Sequence, residues 1–179
     1  MAEEPRTILP GAVRQNGYVV RDVDAAMESW LAVGIGPWFT MREFPQQNGD
    51  YRGELCEPVL SIAFANSGPL QLELIQQHDD GPSIYREFLD AGREGFHHLA
   101  WWTEDFPATM AKVEAARWPV VQSGDGNGVA HFAYFELDGA TSTVIELMEL
   151  NDATGLLAST VATGADGWDG TTDPVRPLF

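Results

Sequence analysis

Apolar and polar positions alternate in blocks along this chain, and the blocks read as strands and helices in a fixed order. Residues 13–20 are an apolar run of strand length. Asp22 follows as a helix-capping residue, and Val23, Ala26, Met27, Trp30 and Leu31 then recur at helical spacing. Gly34 to Pro37 stops that helix and WFTMREF reads as a strand. Residues 46–50 read as a polar turn. VLSIAFAN (59–66) and residues 70–76 read as strands around the turn Ser67, Gly68 and Pro69. A polar break at 78–82 leads to a short helix over 83–91, closed by Gly92. Residues 96–103 open a second series: a strand, a helix capped by Asp105 and running to about 116, a short strand at 119–122 and the glycine-rich turn SGDGNG. Strands over 129–137 and 143–150 are expected to pair across Asp138 and Gly139. Residues 151–160 have helical character, and the rest reads as a surface tail.

The second series copies the first. QNGYVVRDVDAAMESW from Gln15 and HLAWWTEDFPATMAKV from His98 align at an offset of 83, which places Asp22 on Asp105, Ala25 on Ala108 and Met27 on Met110. LQLELIQ and TVIELME form a second matched pair. Glu146 follows His98 by 48 residues, whereas Glu73 follows Gln15 by 58, so the second copy has a loop shortened by ten. A period near 80 is too long for a solenoid and suits a duplicated supersecondary module. The expected fold is α+β: two paired βαβββ modules, about 11–77 and 95–150, forming one cupped mixed sheet with helices outside. Residues 1–150 are expected as one domain, followed by a C-terminal helix and tail over 151–179.

A strand shows alternate residues to each face, so Glu73 and Glu146, each flanked by apolar residues, are expected to point into the concave side while their neighbours face the helices. A carboxylate there needs a partner. The matched first strands each begin with a further metal-binding type, Gln15 and His98. Two carboxylates, an imidazole and an amide oxygen make a nitrogen and oxygen donor set suited to one divalent Zn, Ni, Co, Mn or Fe ion with positions open to water or substrate.

Composition narrows the substrate. Twenty-seven acids against ten bases give a net charge of −17, and Lys112 is the sole lysine. Nucleic acid is a poor partner for such a surface, and polyanionic ligands are disfavoured. A neutral, largely apolar small molecule is expected. Cys56 is the sole cysteine, so neither an intrachain disulfide nor a thiolate cluster can form. No apolar run reaches the length of a membrane span, and MAEEPRTILP lacks the pattern of a signal peptide. A cytoplasmic location is expected.

The motifs QNGYVVRDVDAAM, LQLELIQ, GFHHLAWW and STVIELME, in that order over residues 13–150, resemble the vicinal oxygen chelate superfamily of glyoxalase I, methylmalonyl-CoA epimerase, extradiol dioxygenases and bleomycin-resistance proteins. The resemblance implies the paired modules, a homodimer and metal ligands at Gln15, Glu73, His98 and Glu146, with His97 facing away. This donor set is similar to that of zinc-type glyoxalase I and unlike the His, His and Glu set of extradiol dioxygenases. Two arginines that hold glutathione in glyoxalase I are replaced here by Val19 and Glu94, so glutathione hemithioacetal is not expected as substrate.

The function implied is a divalent-metal-dependent isomerase, epimerase or lyase that removes a proton next to a carbonyl, with Glu146 or Glu73 as base and Glu146 favoured by its match to the glyoxalase I base. Alternatives are a non-catalytic small-molecule-binding or resistance protein and a dioxygenase-type metalloenzyme with altered ligands. Trp38, Phe39, Trp101, Trp102, Phe132 and Tyr134 are candidates for pocket walls, though sequence neighbours on a strand face opposite ways. His131 is a candidate for orienting substrate. Cys56 and Glu57 lie near a possible pocket strand with no role defined by their spacing.

Overall fold

Alternation along the chain is realised as two sheet faces in the computed structural model, which describes residues 7–137 and 143–178. In the first module, β1 (Gln15–Val19) leads into α1 (Val23–Ala32), then β2 (Trp38–Pro45), β5 (Val59–Ser67) and β6 (Leu70–Gln77). A hairpin of β3 (Gly49–Tyr51) and β4 (Glu54–Cys56) is inserted between β2 and β5. After α2 (Ile84–Asp90), the second module comprises β7 (Gly95–Thr103), α3 (Phe106–Ala115), β8 (Val120–Gly124), β9 (Phe132–Glu136) and β10 (Val144–Glu149). α4 (Asp152–Ala165) and β11 (Val175–Pro177) complete the described elements. The expected turn at Asp138 and Gly139 lies outside the described residues.

All these strands join one mixed sheet in the order β11-β2-β5-β6-β1-β7-β10-β9-β8-β3-β4. β1 runs parallel to β6, β7 parallel to β10, and β1 antiparallel to β7. The order β2-β5-β6-β1 is therefore mirrored by β8-β9-β10-β7, and an approximate two-fold axis passes between β1 and β7. Matched aspartates start the matched helices: Asp22 accepts from the N–H groups of Asp24 and Ala25, and Asp105 accepts from that of Ala108. α1 buries Val23 and Met27 against Trp38, Ala63, Leu72 and Leu74. α3 sets Val113 against Ala133, Phe135, Ile145 and Leu147. Both helices thus cover the convex face, as the apolar flanks of Glu73 and Glu146 imply.

Three features depart from the sequence reading. The longer β2–β5 connection of the first module does not form a simple polar turn; it builds the β3–β4 hairpin, whose β3 pairs with β8 of the second module. This satisfies the edge of β8, which would otherwise present unpaired backbone groups. The tail is not merely a surface segment, since β11 pairs in parallel with β2 at the opposite edge. α4 returns across the concave side and buries Val161 against Phe39 and Phe64. Its start is fixed by Asn151, whose side chain accepts from the N–H groups of Ala153 and Thr154, while the Thr154 hydroxyl accepts from the Asn151 N–H.

Candidate metal centre

The register of the four central strands places the predicted ligands in two rows across the concave face. One row reads Gln71, Gln15, Ala100 and Glu146; the next reads Glu73, Gly17, His98 and Val144. The approximate two-fold exchanges the rows, taking Glu73 to Glu146, Gln15 to His98 and Gly17 to Ala100. Glu73, His98 and Glu146 each bring one ligand atom within 4.8 Å of the others, and all three are buried. Gln15, 1% exposed, lies on the same face beside Ala100 and Gln71.

Gly17 makes room for this arrangement. The His98 ring lies directly over it, so that a Cβ at residue 17 would stand 1.8 Å from His98 Cε1 and 2.1 Å from Nε2. The need is for close approach to a side chain, not for an unusual backbone angle.

His97 does not face away. The β1–β7 register shifts between Gly17 and Tyr18, which face His98 and Phe96 and leave His97 as the extra residue of a bulge. A bulge turns a side chain out of strict alternation. His97 Nδ1 stands 3.0 Å from His98 Nδ1, and its ring packs against Tyr85, Phe88 and Tyr134. Burial, followed by the His98 and Arg93 charges, holds His97 well below the usual histidine range, so it stays neutral. With the hydrogen on His98 Nδ1 donated to His97 Nδ1, Nε2 is the His98 nitrogen that faces the carboxylates.

Burial opposes a charged His98, yet the facing carboxylates of Glu146 and Glu73 outweigh it and push the imidazole up to about 9. Burial, reinforced by Glu146, raises Glu73 against the opposing pull of His98. His98 Nε2 lies 3.1 Å from Glu146 Oε2 and 3.3 Å from Glu73 Oε2, but neither contact has hydrogen-bond geometry. One buried atom on each predicted ligand lacks a hydrogen-bond partner: Gln15 Oε1, Glu73 Oε2, His98 Nε2 and Glu146 Oε2. Buried polar atoms without partners are costly, and a cation among Glu73, His98 and Glu146 would satisfy these three together once Nε2 gives up its proton, with Gln15 on the same face as a further oxygen donor. The residues present fit a divalent ion.

Above the carboxylates lies a cavity of about 640 Å³ whose walls include Met41, Phe44, Ile62, Phe132, Met148 and Leu157. Tyr134, directly across from Glu146, and Tyr85 also line it, with their hydroxyls 3.1 Å apart. Burial and the Glu146 charge raise both phenols well above the usual tyrosine range, so they remain O–H donors. Phe64 occupies the corresponding place across from Glu73. The lining cation, Arg42, is held by Asp24 at 2.7 Å.

Of the aromatic candidates, Phe132 and Tyr134 line this cavity. Trp38 packs beneath α1, Trp101 lies in the α3 cluster, Phe39 is covered by α4, and Trp102 lines a separate cleft. His131 is not placed to orient substrate: it is exposed and its ring stacks on Phe106. Cys56 is buried with Sγ 3.2 Å from the Pro82 carbonyl, and Glu57 is exposed; neither lines the cavity. Val19 sits in the core under α2, and Glu94 accepts from the Arg21 N–H, so neither offers a cation.

Gln71 was not legible as part of the site. It is 2% exposed, and its Oε1 accepts from Gln15 Nε2 at 2.8 Å, which turns Gln15 Oε1 away from Gln71. The two-fold places Val144 at the equivalent position, so the repeat carries no signal for it. His97 and Tyr85 were missed for a related reason: a bulge and an intervening helix, both outside the repeat, bring them in.

This two-module sheet and its buried donor set define a class. Residues 14–135 match the family model described as the Glyoxalase/Bleomycin resistance protein/Dioxygenase superfamily, and the chain belongs to that superfamily. No curated protein matches the chain. Among solved structures, it is similar to a hypothetical protein from Bacillus halodurans, at 16% identity over 79% of this chain and 95% of the other, with a TM-score of 0.59. Methylmalonyl-CoA epimerase from Mycobacterium tuberculosis is similar at 18% identity over 87% of this chain and 97% of the other, with a TM-score of 0.58. A variant methylmalonyl-CoA epimerase from Streptomyces coelicolor, in complex with 2-nitronate-propionyl-CoA, is similar at 19% identity over 78% and 94%, with a TM-score of 0.55. At these identities the likeness establishes the fold. Among the described residues, no helix is long and apolar enough to cross a membrane.

Proposed function

We propose that the chain is a divalent-metal-dependent epimerase, isomerase or lyase that moves a proton next to a carbonyl on a neutral, largely apolar small molecule. The observation that carries this reading is the convergence of Glu73, His98 and Glu146, each with a buried atom that lacks a partner, with Glu73 and Glu146 lining an apolar cavity. A ligand-binding protein of the resistance type has no need of three converging, buried ligand groups.

Gln15, Glu73, His98 and Glu146 would hold the ion. When bound, it supplies positive charge beside a substrate oxygen and lowers the cost of an enolate. The apolar walls exclude water and strengthen that electrostatic effect. Glu146 is the base we favour: it takes the proton from the substrate carbon and can return it to the other face or to a neighbouring carbon. The hydroxyls of Tyr134 and Tyr85 provide a donor on the Glu146 side, where Phe64 provides none on the Glu73 side. His97 holds His98 in one tautomer, and Gln71 holds the amide of Gln15. The cavity lacks a free lysine or arginine among the described residues, which supports a neutral substrate and weighs against glutathione adducts and other polyanions.

The test is solvent exchange. Neutral hydroxycarbonyl compounds incubated with the protein in deuterated water should gain deuterium at the carbon next to the carbonyl. Glu146→Gln should keep part of its metal, because an amide oxygen still coordinates, yet lose most of the exchange. Undiminished labelling in Glu146→Gln moves the role to Glu73; substrate turnover without labelling contradicts the enolisation reading. Efficient, saturable turnover of the glutathione adduct of methylglyoxal would contradict the substrate class.

A further inference from the structure

The buried atoms without partners do not all gather at the candidate metal centre. Beyond Gln71, at the end of the concave face covered by α4, a second cleft of about 740 Å³ opens between α4 and the strand ends. Its unmet buried groups include N–H donors, which the first cavity's carboxylates do not supply. Gln71 uses its Oε1 on Gln15, and its Nε2 is buried without an acceptor. Trp102, 9% exposed, also lines the cleft, and its indole Nε1–H is buried without an acceptor. At the rim, the guanidinium carbon of Arg14 lies 4.8 Å from the Trp102 ring centroid, and among the described residues no carboxylate pairs with it. Asn66 adds a buried Oδ1 without a donor. The remaining wall is small and apolar: Val13, Leu70, Leu150, Gly155 and Ala158.

Two buried N–H donors are costly to leave unmet, and an anionic group would meet them while pairing with the exposed guanidinium at the rim. A guanidinium stacked on an aromatic face keeps its N–H edge free for a planar carboxylate. The small residues of α4 leave space for a short hydrocarbon body. We propose that this cleft binds a small carboxylate of apolar body, its oxygens held by Arg14, Trp102 Nε1 and Gln71 Nε2, as a site separate from the cavity above Glu73 and Glu146. The proposal does not depend on metal binding or on proton transfer.

The experiment follows indole N–H resonances of the full-length ¹⁵N-labelled protein during titration with butyrate, butyramide and inorganic phosphate. The series is run on protein as purified and again with chelator, so that carboxylate held by a metal is recognised. One of the six tryptophans should move saturably with butyrate in both series, and that resonance should be missing from Trp102→Phe. Butyramide should move it far less. Arg14→Gln, a change at an exposed residue, should weaken the response about tenfold. The proposal is overturned if no indole responds to butyrate up to about 50 mM, where even a weak site would begin to fill. It is equally overturned if phosphate alone shifts Trp102, if butyramide matches butyrate, if the shift disappears with chelator, or if Arg14→Gln binds butyrate as tightly as wild type.

Discussion

The two modules place their chemistry by the same rule and differ at the positions where chemistry is decided. Glu73 and Glu146 are matched, and each lies in the middle of an inner strand. Around them the copies diverge: Gln15 against His98, Gly17 against Ala100, Gln71 against Val144, and Phe64 against Tyr134. The first module contributes an amide ligand with its amide partner; the second contributes an imidazole with a bulged imidazole behind it and the phenol of Tyr134, which meets Tyr85 of the connecting helix α2. Duplication supplies a site at the seam, and divergence between the halves makes its two sides unequal. A proton taken on one side therefore meets different neighbours from a proton taken on the other.

The largest break in this comparison is expected at Gly17 and Ala100. Gly17→Ala drives a Cβ into the His98 ring. It should cost about 1–3 kcal/mol of stability by overpacking and reduce metal affinity at least about tenfold. Ala100→Gly, at the matched place beside the more flexible Gln15, should cost about 1 kcal/mol or less and leave metal content intact. Denaturant unfolding with metal analysis on the same samples reads both. Equal effects from the two changes would mean that the rows are not distinguished in this way.

A change of pH should separate the two roles of His98. Its pKa in the folded chain, about 9, lies above the ordinary histidine value of 6.5. The stabilisation that it gives the metal-free protein is complete below pH 6.5 and disappears as the pH rises through 9. A cation requires the unprotonated Nε2, so metal affinity should move oppositely, falling by up to about tenfold per pH unit as the pH drops below 9. Thermal melts of chelated protein and metal titrations across pH 6–9 should show these opposed trends.

A smaller effect is expected from the unequal side chains across from the carboxylates. Tyr134→Phe removes a hydroxyl from the Glu146 side and should lower kcat/KM about tenfold, the worth of one well-placed hydrogen bond. Phe64→Leu on the Glu73 side should act mainly through packing, with a raised KM and little change in kcat. Steady-state kinetics on any substrate that shows solvent exchange makes the comparison.

Much of this was legible because two independent periodicities agree. Strand alternation places Glu73 and Glu146 on one face, and the repeat identifies Gln15 and His98 as their partners; the structure brings these residues onto the same face. The β3–β4 hairpin was not legible. Arg52 and Gly53 form its two-residue turn with φ of 53° and 88°, a geometry usually signalled by Asn or Asp at the first place, and each strand is only three residues long. His97 was misassigned because period-two alternation holds only where the register does not slip. Gln71 and the docking of α4 and β11 depend on contacts between distant segments, which leave no local pattern.

The most direct measurement is the metal content of the protein after purification without chelator and reconstitution with one divalent ion at a time, compared among wild type, His98→Ala and Glu73→Gln. One ion per chain is expected in wild type. His98→Ala should retain almost none, and Glu73→Gln should retain a reduced share at matched protein concentration. Full occupancy in both variants, or no stoichiometric binding of Zn, Ni, Co, Mn or Fe by wild type, would contradict a metal centre at the seam of the two modules.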